Sequence, residues 1–379
     1  MAQSQRHAPD AGTMRIRAAV TRTGPVPVIE DVELEAPRDD ELLVRIVATG
    51  ICHTDLHEQA GRHSPHPVVL GHEGAGVVER VGDRVRGFAA GDHVVLSGNS
   101  CGRCPSCIDN MPTYCDLAMT MSFGGQRLDG TTALRDADGG RIHSHFFGQS
   151  SFATHAIVPE RTAVKVDRDL PLHLLGPLAC GVISGAGSVI EALKVSAGDT
   201  IAIFGVGGVG LPAVMAARLV GARAIVAVDR NPQRLELARE LGATHTIAAD
   251  DPDLAETIRA VTGRGVGFTL NTTNVPSAHT AALECLAMNG TAGFVAAPRG
   301  EWSPQMFRML GGGRQLRGIL GGGANPHTFI PMLIAYWRQG RFPFDRLIET
   351  YRFDEIERAF HDVESGRVVK PVLMIAPTG

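Results

Sequence analysis

Short apolar or alternating runs broken by Gly, Pro and Asp fill the first half of the chain, and residues 16–20, 41–48, 74–81 and 93–96 read as strands. Strands this short and closely spaced predict a compact, barrel-like β domain, with His72 where one of its loops ends. The rhythm changes near Cys180. From there strand-length apolar runs alternate with helical periodicity: helix 181–193, strand 200–204, helix 211–220, strand 224–228, helix 232–241, strand 244–248, helix 253–262, strand 267–271, helix 277–288 and strand 290–295. Strands alternating with helices predict a doubly wound parallel sheet. After Gly321-Gly322-Gly323 the pattern becomes irregular, with a helix over 327–339 and a last strand over 372–375, and the tail is expected to return to the first domain. The reading is α/β in three parts: a disordered tail over 1–13, a β-rich domain over 14–181 and 322–379, and a doubly wound domain over 182–321.

Length agrees with two domains, because 379 residues exceed what one compact core holds. The net charge of −4 and the lack of a basic patch give no reason to expect nucleic acid or an anionic membrane as partner. No apolar run is long enough to span a bilayer, and the polar stretch 1–13 has no hydrophobic segment of a secretion signal. A cytoplasmic protein with reduced thiols is therefore expected. The polar, glycine-containing stretch 122–141 is too long for a simple connector and is expected to have a function.

Six of the seven cysteines fall into two metal-ligand sets. Cys101, Cys104, Cys107 and Cys115 form a C-x2-C-x2-C-x7-C run. Spacing this tight suits a metal better than disulfides, and four thiolates on one loop close a tetrahedral shell around zinc with no position open. Cys52, His72 and Cys180 come from distant parts of the chain. As three ligands they would leave the fourth position that a reacting zinc needs. Around Cys52, the run Cys-His-Thr-Asp-Leu-His packs a thiol, a hydroxyl, a carboxylate and two imidazoles into six residues, for which core packing has no use. Cys285 reads as a plain buried residue.

Gly205-Val206-Gly207-Gly208-Val209-Gly210 stands between a strand and a helix, and Asp229 ends the next strand nineteen residues after Gly210. That setting makes it a Rossmann dinucleotide fingerprint. Gly205 permits the turn, Gly207 lets backbone approach a pyrophosphate, and Gly210 lets the helix pack closely; Gly208 and Val209 complete the loop. Asp229 would accept from the adenosine ribose and repel a 2′-phosphate, favouring NAD over NADP. Arg230 weakens that preference without reversing it.

Residues 50–55, Gly71-His72-Glu73-Gly74-Ala75-Gly76, the cysteine loop, Cys180-Gly181 and the fingerprint follow one another in this order. In that combination the chain resembles the zinc-dependent medium-chain alcohol dehydrogenases over essentially its whole length after Met14. The segment His145-Phe146-Phe147-Gly148-Gln149-Ser150-Ser151-Phe152-Ala153 is similar to the aryl (benzyl) and allylic or geraniol-type enzymes among them. The resemblance implies a GroES-like zinc-binding domain beside the Rossmann domain, two zinc ions per chain, and NAD. It also implies roles. Cys52, His72 and Cys180 bind the reacting zinc, which acts as a Lewis acid on an alcohol. Thr54 accepts the hydroxyl proton and His57 carries it to solvent. Asp55 orients His72, Glu73 assists ligand exchange, and His53 and Lys370 contact the cofactor pyrophosphate. Thr54, Ser97, Phe146, Phe147, Ala297 and Ile319 line the substrate pocket. A homodimer is implied by the retained segment 116–148, with a homotetramer as the alternative.

Plainer readings stand beside each role. His57 reads equally as a surface histidine, Glu73 as the partner of a nearby cation, Asp55 as a helix cap, Lys370 as a solvated charge, and the two phenylalanines as core filler. The alternative reaction is that of a glutathione-dependent formaldehyde dehydrogenase, for which Arg103 and Arg127 would have to anchor carboxylates. A zinc-loop interaction protein without catalysis is the alternative from another class, and the charge argues against it.

Overall fold

Valine, isoleucine and alanine crowd the strand-length runs, and in the computed structural model, which describes residues 12–22 and 26–375, these runs pair into three sheets. Residues 1–11 of the expected tail lie outside the described residues. The chain divides into two compact units, one up to Cys180 and again from Leu347, the other Gly181–Arg346.

In the first unit the strand Glu41–Gly50 organises the larger sheet. It pairs antiparallel with Gly74–Val81, His155–Pro159 and Lys370–Met374 along different parts of its length. Its register gathers distant residues. Gly50 stands opposite Val372, and Thr49 opposite Gly74, so the chain ends leading to Cys52, His72 and Lys370 all emerge at one end of this strand. The second sheet runs Val68–Val69, Met14–Thr21, Val28–Leu34, Leu134–Arg135, Arg141–Ile142. The stretch 122–141 therefore ends in a small hairpin on a sheet edge rather than forming a free loop.

The second unit is a parallel six-stranded sheet in the order His245–Ala248, Ala224–Asp229, Thr200–Phe204, Val266–Asn271, Leu286–Phe294, Gln315–Gly318. Strand order reverses beside Thr200–Phe204, which is where open α/β sheets bind ligands at the carboxyl ends of their strands. Three expectations need correction. The helix read over 277–288 is Pro276–Glu284; Leu286 already pairs with Val266 in the next strand. Apolar side chains around Cys285 fit a buried helix end and a buried strand equally, so periodicity could not separate them. The helix at Gly181 changes to a π turn over Ser188–Ala192, with Leu193 N–H donating to Ser188 O. Finally, residues 322–346 belong to the second unit rather than the first. Gly322 fixes them there, because a Cβ on it would lie 2.4 Å from Ile183 O.

Candidate metal centres and cofactor loop

Cys52 caps the short helix His53–Gln59. Its Sγ lies 3.9 Å from Cys180 Sγ, and Cys180 Sγ lies 3.3 Å from His72 Nε2. A zinc tetrahedron with arms of about 2.3 Å has edges of about 3.8 Å, so these side chains fit three ligand positions of one zinc. The hydrogen bond between the two thiols holds Cys52 well below the usual thiol range and Cys180 well above it. Burial pulls His72 down, but the Asp55 charge and hydrogen bond raise it well above its ordinary value. Metal uptake at such a set displaces protons from ligands already brought together.

Asp55 does both jobs suggested for it. One carboxylate oxygen accepts from Cys52 N (2.9 Å), capping the helix. The other accepts from His72 Nδ1 (3.0 Å) and Gly71 N (3.1 Å), which turns Nε2 of the ring towards the thiols. Thr54 is half-buried, with Oγ1 3.8 Å from Cys52 Sγ. His57 is half-buried one turn further along, and His53 is exposed.

Glu73 lies in the same cluster, its carboxylate and the ligand atoms of Cys52, His72 and Cys180 all within 4.8 Å of one another. Room for it comes from Gly50, where a Cβ would stand 2.0 Å from Glu73 Oε2. Lys370 is the correction here. Its ammonium donates to Glu73 Oε1 (2.7 Å), Glu73 Oε2 (2.9 Å) and Ile51 O (3.3 Å), and the residue is only 4% exposed. The ammonium is paired with a carboxylate beside the metal ligands, which overturns the plainer reading of Lys370 as a solvated charge. Burial pushes Glu73 up, and the Glu73 charge holds buried Lys370 above the usual amine range.

The two phenylalanines separate. Phe146 is fully buried in the core, its ring nearly perpendicular to that of His72 with centroids 5.5 Å apart. Phe147 is half-buried and stacks on the His72 imidazole, centroids 4.6 Å apart and planes 27° from parallel. The loop that does this is strained. His145, Phe147 and Ser150 have φ of 64°, 51° and 53°, the left-handed region that non-glycine residues avoid at about 1–3 kcal/mol each. Two neighbours escaped sequence reasoning. Phe123 meets Phe147 edge-on at 5.2 Å, and nothing in its helical run marks it out. Gln149 is buried against the His72 loop, and a lone amide in a polar segment gives no signal.

Ser97 is buried and its hydroxyl donates to Thr162 O. In the second unit Ala297 is exposed beyond the strand Leu286–Phe294, and Ile319 is buried against the Gly293 backbone. Arg127 is paired with Glu41 and Glu35 and is 8% exposed, so it is not available to anchor a glutathione carboxylate; Arg103 is exposed.

Cys101, Cys104, Cys107 and Cys115 bring four sulfurs within 4.8 Å of one another. Backbone N–H groups of Arg103 and Cys104 hold Cys101 down at about 6, while burial pushes Cys115 up to about 11. Further N–H groups, of Cys101 and Leu117, point at Cys115 Sγ. Amides aimed at sulfur suit thiolates, and a four-sulfur set leaves no ligand position open.

In the fingerprint Gly205 has φ +82°, and a Cβ on Gly210 would lie 1.9 Å from Gly205 O, so both glycines are required by the turn. Gly207, Gly208 and Val209 are partly exposed at the start of the helix Gly210–Leu219. Asp229 accepts from Val206 N and Asn231 N, one on each oxygen, leaving lone pairs on both. Arg230 beside it is exposed. Arg234, unsignalled in the sequence, lies over the fingerprint, with Nη1 3.5 Å from where a Cβ on Gly207 would be.

Residues 38–168 match the alcohol dehydrogenase GroES-like domain, and residues 208–336 match the zinc-binding dehydrogenase family. A geraniol dehydrogenase from Castellaniella defragrans is 47% identical over 367 residues, covering 94% of this chain and 97% of the relative. The crystal structure of a benzyl alcohol dehydrogenase from Acinetobacter calcoaceticus superposes with a TM-score of 0.92 at 40% identity, covering 96% of this chain and 100% of that one. An alcohol dehydrogenase zinc-binding domain protein from Burkholderia ambifaria gives 0.94 at 48%, with the same coverage. With both domains matched in order and a relative nearly half identical from end to end, the chain belongs to the zinc-dependent medium-chain alcohol dehydrogenases.

Proposed function

We propose that this dehydrogenase reversibly oxidises a primary aromatic or allylic alcohol to its aldehyde, using NAD and two zinc ions per chain. Phe147 carries the substrate class: a half-buried ring stacked on a metal-ligand histidine offers a flat apolar face to an aromatic ring or conjugated chain. Similarity to a geraniol and a benzyl alcohol dehydrogenase supports the same class. Ser97, Ala297 and Ile319 are proposed as further pocket residues.

Cys52, His72 and Cys180 would hold the reacting zinc, which would supply a Lewis acid to lower the pKa of the alcohol. The side chains of the protein do the rest. Thr54 accepts the hydroxyl proton, and His57, three residues on and so on the same helix face, passes it to solvent. Asp55 fixes the tautomer and direction of His72. Glu73 is kept beside the ligands by Lys370, poised for ligand exchange. The four-cysteine loop holds the second, structural zinc. Asp229 selects NAD through the ribose hydroxyls, and His53 contacts the pyrophosphate. We assign the protein to the cytoplasm, where seven unpaired cysteines remain reduced, and to a homodimer.

The test is NADH formation with geraniol, cinnamyl alcohol, benzyl alcohol, ethanol and S-(hydroxymethyl)glutathione, with NADP in parallel. Turnover of the first three with NAD, lost on chelating zinc, is expected. Activity confined to the glutathione adduct would overturn the substrate class.

A further inference from the structure

The segment that carries His72 is bracketed by two glycines, and both are there because another stretch of chain lies directly against it. A Cβ on Gly71, whose φ is +91°, would lie 2.6 Å from Phe152 N; one on Gly74 would lie 2.7 Å from Ser151 Cβ. In the space between sits Gln149, 1% exposed. Its Oε1 accepts from Gly74 N (3.0 Å). Its Nε2 donates to His72 O (3.0 Å) and Leu96 O (3.1 Å), with Ser97 O at 3.3 Å. The orientation of the amide is forced, since one neighbour is a donor and the others are acceptors. Its charged isostere, glutamate, keeps the acceptor but has no donor for the three carbonyls.

We propose that Gln149 is a positioning residue for the reacting metal. Asp55 fixes the His72 imidazole at Nδ1, and Gln149 fixes the peptide at its other end, so the ring is held from both sides. The backbone N–H of the same residue closes the strained turn that lays Phe147 on that ring by donating to Phe146 O (3.0 Å), and the next residue, Ser150, ties the turn down with its Oγ donating to Val69 O and accepting from Phe146 N. One residue that touches neither metal nor substrate thereby serves both, its amide holding the His72 loop and its backbone closing the turn that carries the aromatic face. Losing it lets the His72 loop and the Phe147 turn relax together.

This inference rests on the alcohol dehydrogenase reading, and the test separates the two. Gln149→Glu keeps the shape and removes the donor; Gln149→Met removes both polar groups. Tyr351→Phe, which deletes a buried hydroxyl bonded to Asp362 in the same unit, is the control for general destabilisation. Each zinc-loaded protein is challenged with a chelator, and each is also prepared with cobalt in the Cys52/His72/Cys180 set to record its electronic absorption. Both Gln149 variants are expected to release this metal about 10-fold or more faster than the wild type. Their cobalt bands should shift, kcat on benzyl alcohol should fall more than KM rises, and zinc in the four-cysteine loop should stay bound. Tyr351→Phe should change none of these. Wild-type metal release and cobalt bands in Gln149→Glu would overturn the inference and leave the enzyme reading standing. A wild-type protein that binds no cobalt at this set would overturn both.

Discussion

Phe146 and Phe147 are adjacent in the sequence yet belong to different parts of the chemistry. The first is core, in contact with Phe123, Phe147 and His72, and the second presents part of its ring beside the metal ligands. Their alanine variants should therefore fail differently. Phe146→Ala leaves a cavity in a packed core and should lower unfolding free energy by about 3–5 kcal/mol. Phe147→Ala removes a ring that is not fully buried and relieves little else, so its stability loss should be well under half of that. Its effect should instead appear as a raised KM for benzyl and cinnamyl alcohols, with ethanol nearly unaffected. Urea unfolding and steady-state kinetics on both variants check this; equal stability losses would mean that Phe147 is core as well. The sequence could not divide the pair. Two phenylalanines before a glycine carry no sign of which one faces inward, because the left-handed φ at His145 and Phe147 is set by tertiary contacts rather than by residue type. Lys370 was opaque for a similar reason. A lone lysine announces a charge but not its partner, and the partner is 297 residues away in sequence.

At the scale of elements, the start of the strand Glu41–Gly50 is tied to Arg127, in the long stretch that follows the cysteine loop in sequence, by a buried charge cluster. Glu41 accepts from Arg127 Nε and Nη2 and from Arg38 N, with His145 Nε2 at 3.7 Å and Glu35 also on Arg127. Burial pushes Glu41 up, but the nearby His145 ring and the hydrogen bonds from Arg127 and Arg38 N outweigh it and hold the carboxyl down at about 2. A folded pKa below the unfolded value of 4.5 means stability that is fully present above about pH 4.5 and is lost as pH falls towards 2. The upper limit is about 3 kcal/mol. Glu41→Gln should thus be less stable than the wild type at pH 7, and the gap should narrow in urea titrations at pH 4 and again at pH 3. A gap independent of pH would assign the loss to packing. Five of the six strands of the parallel sheet were legible, since buried strands read as unbroken apolar runs ending in Gly or Asp, whereas Gln315–Gly318, exposed throughout, carries no such run. The strand Val28–Leu34 was not: it reads VIEDVEL, in which Glu30 falls on the same face as buried Val32 and Leu34 and breaks the alternation that marks a strand. The metal sets were legible because cysteine is rare and its spacing informative. Gln149 was invisible because an amide gains meaning only from the four backbone groups around it.

For the whole molecule, the proposed homodimer has a candidate surface on the second unit. Gln315–Gly318 is the edge strand of the parallel sheet, and all four residues are exposed. Beside it in sequence, the helix Met306–Gly312 exposes Phe307 at 86% and Leu310 at 77%, and Leu320 follows the strand at 51%. An unpaired edge with large apolar residues next to it is what monomers avoid. A second copy satisfies it directly: a two-fold axis sets the same edge strand antiparallel to itself, joining two six-stranded sheets and covering both sets of apolar side chains. Leu316→Lys combined with Phe307→Asp places like charges across such an axis and should shift the sedimentation coefficient from dimer to monomer at micromolar concentration. Zinc should remain bound to the Cys52, His72 and Cys180 set, because its ligands all come from one chain. A wild-type protein that sediments as a monomer, or a double variant that still sediments as a dimer, would move the interface elsewhere or remove it.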